Sequence, residues 1–186
     1  MARWLIMVMA GVVGCGLIAG PAMADQRDAR LPTLFSLLRE APGPAEAAVI
    51  EQQIVRIWSG SASATADLFL QHGAAAEQDR NLALAEQSYT AAIDAAPDFA
   101  EAWNRRATVR FLKDDLDGAL DDVERTLALE PRHFGALAGL GQIRERQNRP
   151  DLAVAAYRQA LDLHPQQSGL QERLRRARTL DERSGT

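Results

Sequence analysis

The sequence predicts an all-α solenoid of three helix-turn-helix repeats, preceded by a helical hairpin and closed by a C-terminal capping helix. Two observations carry the repeat. Pro97, Pro131 and Pro165 follow one another at intervals of 34 residues, and the segments 66–99, 100–133 and 134–167 align around them with matching large and small residues. The third observation is compositional: of 186 residues 47% are hydrophobic but only 5% aromatic, so the core must be aliphatic and alanine-rich, as helical assemblies often are. A formal net charge of −4 argues against nucleic acid as a partner, because phosphate binding needs a basic excess.

Residues 1–24 read as a secretory signal peptide and not as part of the fold. Arg3 is the only charge, Trp4 to Gly20 is uncharged and mostly apolar, and the stretch ends in Pro21-Ala22-Met23-Ala24. Small residues at minus three and minus one place the cut between Ala24 and Asp25, which predicts a periplasmic or secreted protein. A retained anchor is the first rival, since the apolar run is at the short end of what spans a bilayer. The second is lipidation, because Val12-Val13-Gly14-Cys15 resembles a bacterial lipobox; only if Cys15 is lipidated does the sequence imply a membrane contact. Cleavage after Ala24 leaves 162 residues with a charge of −5 and no cysteine, so packing alone must hold the exported chain together.

Residues 25–65 predict a helical hairpin and a linker. Leu34, Phe35, Leu37 and Leu38 follow the opening Leu31-Pro32-Thr33. After Pro42-Gly43-Pro44 a second helix runs to Trp58 with Val49, Ile50, Ile54, Ile57 and Trp58 inward. This hairpin is expected to cover the open end of the first repeat. Ser59 to Thr65 is linker-like and holds the N-cap of the next helix.

Within each repeat the spacing has a physical cause. Phe69, Trp103 and Leu137 stand at place four, and Gly73, Ala107 and Gly141 at place eight, one helical turn along the same face of helix A. The small residue lets helix B approach closely. Ala85, Ala119 and Ala153 at place twenty, and Ala92, Thr126 and Ala160 at place twenty-seven, do the same for helix B, while Tyr89, Val123 and Tyr157 hold place twenty-four. The proline closes helix B and starts the next turn. Residues 168–186 predict an amphipathic cap with Leu170, Leu174 and Ala177 inward and four arginines around them.

This 34-residue pattern resembles the tetratricopeptide repeat (TPR), and the three aligned segments cover 102 residues. The chain looks like the small exported TPR proteins of bacteria. The resemblance implies a curved solenoid whose helices A line a concave groove, where TPR proteins commonly hold an extended peptide or a partner helix. It also implies that places two, five, nine and twelve face that groove. Here they are Asp67, Leu70, Ala74 and Glu77; Glu101, Asn104, Thr108 and Phe111; and Gly135, Ala138, Gln142 and Glu145, with Gly139 on or beside the same strip. The Lys, Asn and Arg set of the carboxylate-clamp TPRs, which hold chaperone C-termini, is missing. Leu70, Ala74, Arg105, Gly135 and Gly139 occupy those places. Further departures are His72 and Arg106 at place seven, and Ala76, Arg110 and Arg144 at place eleven; these arginines are expected to lay their stems over the helix, reach solvent and loosen the packing.

Catalytic constellations do not emerge from the sequence, so no enzyme is predicted, and neither is a cofactor or a metal. His72, His133 and His164 fall in three different repeats, without metal-ligand spacing, and are expected to be solvated or at helix ends. Gly139 and Gly141 belong to no phosphate loop, and no GxSxG element occurs. Asp114, Asp115, Asp117, Asp121, Asp122 and Glu124 are expected to form a solvated helix face. The function expected is a non-catalytic protein-protein interaction module or adaptor in the bacterial cell envelope. The alternatives are a lipid-anchored envelope-assembly factor and a non-catalytic subunit of an enzyme complex.

Overall fold

The computed structural model describes residues 28–184, and the proposed signal segment, with Cys15, Ala24 and Asp25, lies outside them. Among the described residues there are nine helices and no strand: α1 (Leu31–Glu40), α2 (Pro44–Trp58), α3 (Ala64–Gln78), α4 (Leu82–Ala95), α5 (Ala100–Leu112), α6 (Leu116–Leu129), α7 (Phe134–Arg146), α8 (Pro150–Leu163) and α9 (Leu170–Ser184). Helices α3/α4, α5/α6 and α7/α8 are the three A/B pairs, and each B helix ends two residues before its proline. No described helix is long and apolar enough to cross a membrane.

Glycine at place eight is required by contact. A Cβ on Gly73 would lie 2.4 Å from the Tyr89 ring, and one on Gly141 would lie 2.2 Å from the Tyr157 ring. Repeat two solves the same space with Ala107 against Val123, a larger residue on helix A and a smaller one on helix B, both buried. Each A-to-B turn is completed by a residue in the left-handed region, Arg80 (φ 57°), Asp114 (φ 68°) and Asn148 (φ 55°). Aspartate and asparagine tolerate that conformation better than arginine does. The side chains of Asn81 and Asp115 then cap α4 and α6, and Ser63 in the predicted linker caps α3.

Several side chains lie where the sequence did not place them. Arg106 does not reach solvent: it is buried, forks onto Asp122 with contacts of 2.9 and 2.8 Å, and donates to Thr90 Oγ1 at 3.1 Å. Arg110 bridges Glu86 and Asp122, both at 3.1 Å. The arginines therefore tie α5 to α4 and α6 instead of loosening the stack. Asp122 accordingly leaves the expected solvated acidic face, because two guanidinium groups neutralise it in the interior. Val49 and Leu37 are exposed, since the hairpin turns Leu31, Leu38, Ala47 and Ile54 inward instead.

The hairpin itself does not cover the first repeat. Its apolar side joins Phe134 and the partly buried Leu163 of the third repeat in one cluster. Trp58 stacks on His133 with centroids 4.3 Å apart and planes at 14°, Arg132 lies 4.7 Å over the Phe35 ring, and His164 Nε2 meets Glu51 Oε2 at 3.1 Å. His133 caps α7 and His164 ends α8, so both are helix-end residues as expected, but both are buried under the hairpin and not solvated. The hydrophobic pattern of α1 and α2 requires a buried face; it does not say which surface supplies the cover.

Candidate functional site: the cleft between α5 and α7

The sequence-predicted groove residues separate into three groups. Asn104, Thr108 and Phe111 of α5 and Gly135, Gly139 and Gln142 of α7 meet around one cleft of about 70 Å³, floored by Ala107, Val123 and Ile143. These six are spaced three to four residues apart on each helix, which is why they share a face. Gly139 has only Val123 Cγ2, at 4.0 Å, near the position of a Cβ, so the wall of the cleft there is bare backbone. No lining residue is charged.

A second group is only partly exposed, and neighbours have engaged its carboxylates. Asp67 accepts the Ser61 amide at 2.8 Å, Glu77 accepts the Tyr89 hydroxyl, and Glu145 accepts Arg173 Nη1 at 3.2 Å. Ala74 is half-buried. Burial, with the Glu77 carboxylate beside it, pushes the Tyr89 phenol above its ordinary range, so it stays a donor.

The third group corrects the sequence reading: Leu70, Glu101 and Ala138 are buried and offer nothing to a ligand. Leu70 and Ala138 stand at place five, next to the seam with the following helix A. An apolar side chain there is covered by that helix: Leu70 joins Ala102 and Val109 of α5, and Ala138 joins Leu170 and Leu174 of α9. Asn104, the polar residue at the same place, stays half-exposed. Glu101 is buried by charge partners. It accepts Arg105 Nε at 2.6 Å and contacts His133 Nε2 at 3.0 Å, while His133 Nδ1 accepts the Ala136 amide at 3.1 Å. That amide fixes Nδ1 as the acceptor, so Nε2 carries the proton and donates to Glu101. Burial alone would raise the Glu101 carboxyl, but the His133 and Arg105 contacts outweigh it and hold it below its usual range. Through Trp58 on His133, the hairpin is thus wired to the amino end of the groove.

The floor residues escaped the sequence reading because places eight, ten and twenty-four look like pure core. The Arg106–Asp122 pair, at places seven and twenty-three of the second repeat, escaped it too. Among the described residues, no group of three or more His, Cys, Asp or Glu is placed to hold a metal ion.

Comparison with known proteins agrees with this geometry. A family model described as tetratricopeptide repeat matches residues 70–125 and 113–168. A TPR repeat-containing protein of Rhizobium etli is 35% identical over 158 residues, covering 82% of this chain and 78% of that protein. The small glutamine-rich tetratricopeptide repeat-containing protein 2 of Saccharomyces cerevisiae is 26% identical over 83% of this chain, which spans only 43% of that protein's length. Among solved structures, the first TPR of Spaghetti (RPAP3) bound to the HSP90 peptide SRMEEVD superposes with a TM-score of 0.61, at 22% identity over 63% of this chain and 95% of that one. TPR folds of this kind are, as a class, scaffolds for protein-protein interaction. With its three repeats, its place-eight contacts and these matches, the chain belongs to the tetratricopeptide repeat family.

Proposed function

We propose that this chain is a non-catalytic interaction module of a bacterial cell envelope, and that it holds an extended segment of a partner protein in the cleft between α5 and α7. The observation that carries the reading is the cleft's lining. Gly135 and Gly139 leave backbone that a peptide can approach closely, Asn104 and Gln142 flank it with amide groups able to pair with peptide N–H and C=O, and Phe111 offers one apolar contact. Such a site grips the main chain and has little sequence preference. The acidic peptide bound by the Spaghetti TPR is a poor model for the ligand, because the cleft lacks any cation. Export is supported by the Ala22-Met23-Ala24 ending; the mature chain then starts at Asp25.

Two measurements test this reading. A photocrosslinking amino acid at Phe111 should trap a partner in living cells, whereas the same group at Ala83, exposed on α4 away from the cleft, should not. Equal trapping at both positions removes the cleft as the site. The intact mass of the exported protein should correspond to residues 25–186, and a diacylglyceryl mass on Cys15 would replace the soluble reading with a lipid-anchored one.

A further inference from the structure

Helix α9 stands where a fourth helix A would. Gln171 falls at place four, and its Nε2 donates to the Pro165 carbonyl at 3.0 Å, repeating the bond from Trp103 Nε1 to the Pro97 carbonyl, also 3.0 Å. Places three, seven and ten of α9 are Leu170, Leu174 and Ala177, all buried against α8 and its neighbours. The same places are buried in α5, as Ala102, Arg106 and Val109, and in α7 Ala136 and Ile143 are buried with Leu140 partly so. In each case the preceding repeat supplies the apolar cover, with Arg106 also turned onto Asp122 of its own repeat.

In α3 these places are Leu68, His72 and Ala75, and all three are exposed, Leu68 at 50% where its counterparts Ala102 and Ala136 are at 0%. The stacking face is open because the hairpin buries its apolar side on the third repeat instead. Charge decides what can cover it. Residues 64–95 carry Asp67, Glu77, Asp79, Glu86 and Asp94 against Arg80 alone, whereas α9 carries five arginines against three acids. Two α3 faces brought together would repel. An α9 surface is attracted, and it offers an apolar side chain in Leu180, 51% exposed one turn after Arg176.

We infer that the open face of α3 is covered by a second copy of this chain, head to tail: α9 of one molecule docks on α3 of the next, with Leu180 on the Leu68–Ala75 strip and the arginines toward the acidic first repeat. The contact joins two different surfaces, so it does not close on itself and builds linear chains. It is separate from the α5–α7 cleft and survives or fails independently of the peptide-binding reading.

Sedimentation velocity on the processed chain, at about 50 mM and about 500 mM salt, tests this. Sedimentation should shift to larger species with rising concentration at low salt, and association should weaken at least tenfold at high salt as the charges are screened. Leu68→Lys blocks the receiving face and Leu180→Glu the docking face; both sites are exposed, and unchanged circular dichroism verifies folding. Each variant alone should stay monomeric, while an equimolar mixture should form dimers and nothing larger, since each molecule keeps one working face. A parent chain that stays monomeric at every concentration overturns the inference. So does a mixture that stays monomeric, and so does self-association of Leu180→Glu alone, which would mean that two α3 faces pair.

Discussion

Two glycines on one helix should respond to alanine in opposite directions. At Gly139 the nearest atom to a new Cβ is Val123 Cγ2 at 4.0 Å, an ordinary contact, so Gly139→Ala adds only helix propensity. That gain is about 1 kcal/mol. At Gly141 the Cβ would meet Tyr157 Cε1 at 2.2 Å, Cδ1 at 2.4 Å and Cζ at 2.7 Å. Carbon atoms pack at about 3.5–4.0 Å, so a rigid, fully buried ring must retreat by more than about 1 Å. Overpacking of that kind costs roughly 1–3 kcal/mol, and the size of the displacement puts it at the upper end. Subtracting the propensity gain leaves a net loss of about 2 kcal/mol for Gly141→Ala. In a chain of this size each kcal/mol moves the melting temperature by about 2–4 °C. Gly139→Ala should therefore melt about 2–4 °C above the parent and Gly141→Ala about 4–8 °C below it, by calorimetry or by circular dichroism at 222 nm. Two shifts of the same sign would refute the assignment of Gly141 to the A/B contact and Gly139 to the open cleft.

Three further outcomes follow from the packing. Asp122→Ala should cost about 3–5 kcal/mol in urea unfolding, because it strands the buried Arg106 guanidinium. The double variant Arg106→Leu/Asp122→Ala should be less destabilised than that, since the third repeat carries Leu140 and Ala156 at the same two places. Arg80→Gly should raise stability by about 1 kcal/mol, because φ 57° strains an arginine and not a glycine. Glu101 is held below its ordinary value, so the stability it contributes is present above the unfolded-state value and lost as the pH falls through the folded one. The gap in urea midpoint between the parent and Glu101→Gln should accordingly be widest near neutral pH and narrow as the solution is acidified; a gap that does not change with pH would show that Glu101 is not ionised in the folded protein.

The repeat was legible because a fixed period concentrates proline, glycine and alanine at places where geometry forbids other residues. Gly73 and Gly141 need no structure to be recognised, although only the structure shows that Tyr89 and Tyr157 are what they accommodate. The cleft was half legible. The resemblance to the repeat implies that the thirteen candidates face the groove, but whether a side chain there stays open depends on its neighbours: Asn104 does, whereas Leu70 slides into the seam with α5 and Glu101 is claimed by Arg105 and His133. The docking of the hairpin was not legible. Amphipathic helices announce that one face will be buried, and the Trp58–His133 stack joins residues 75 positions apart that no local pattern links. Arg106 misled for a related reason, since a charge read alone belongs in water and only Asp122, sixteen residues away, makes its burial tolerable.

The central claim is that partner binding happens over the bare backbone of the third helix A. Gly139→Arg tests it most directly, once the crosslinked partner is identified, by calorimetric titration of parent and variant with the trapped segment as a synthetic peptide. An arginine there projects into the cleft of about 70 Å³ without meeting the A/B interface. The account predicts that binding is lost by at least a factor of about 100, which corresponds to about 2.7 kcal/mol, while helical circular dichroism is kept and the melt does not fall below that of the parent. A folded Gly139→Arg protein that binds the peptide as tightly as the parent would contradict it and move the site to another face.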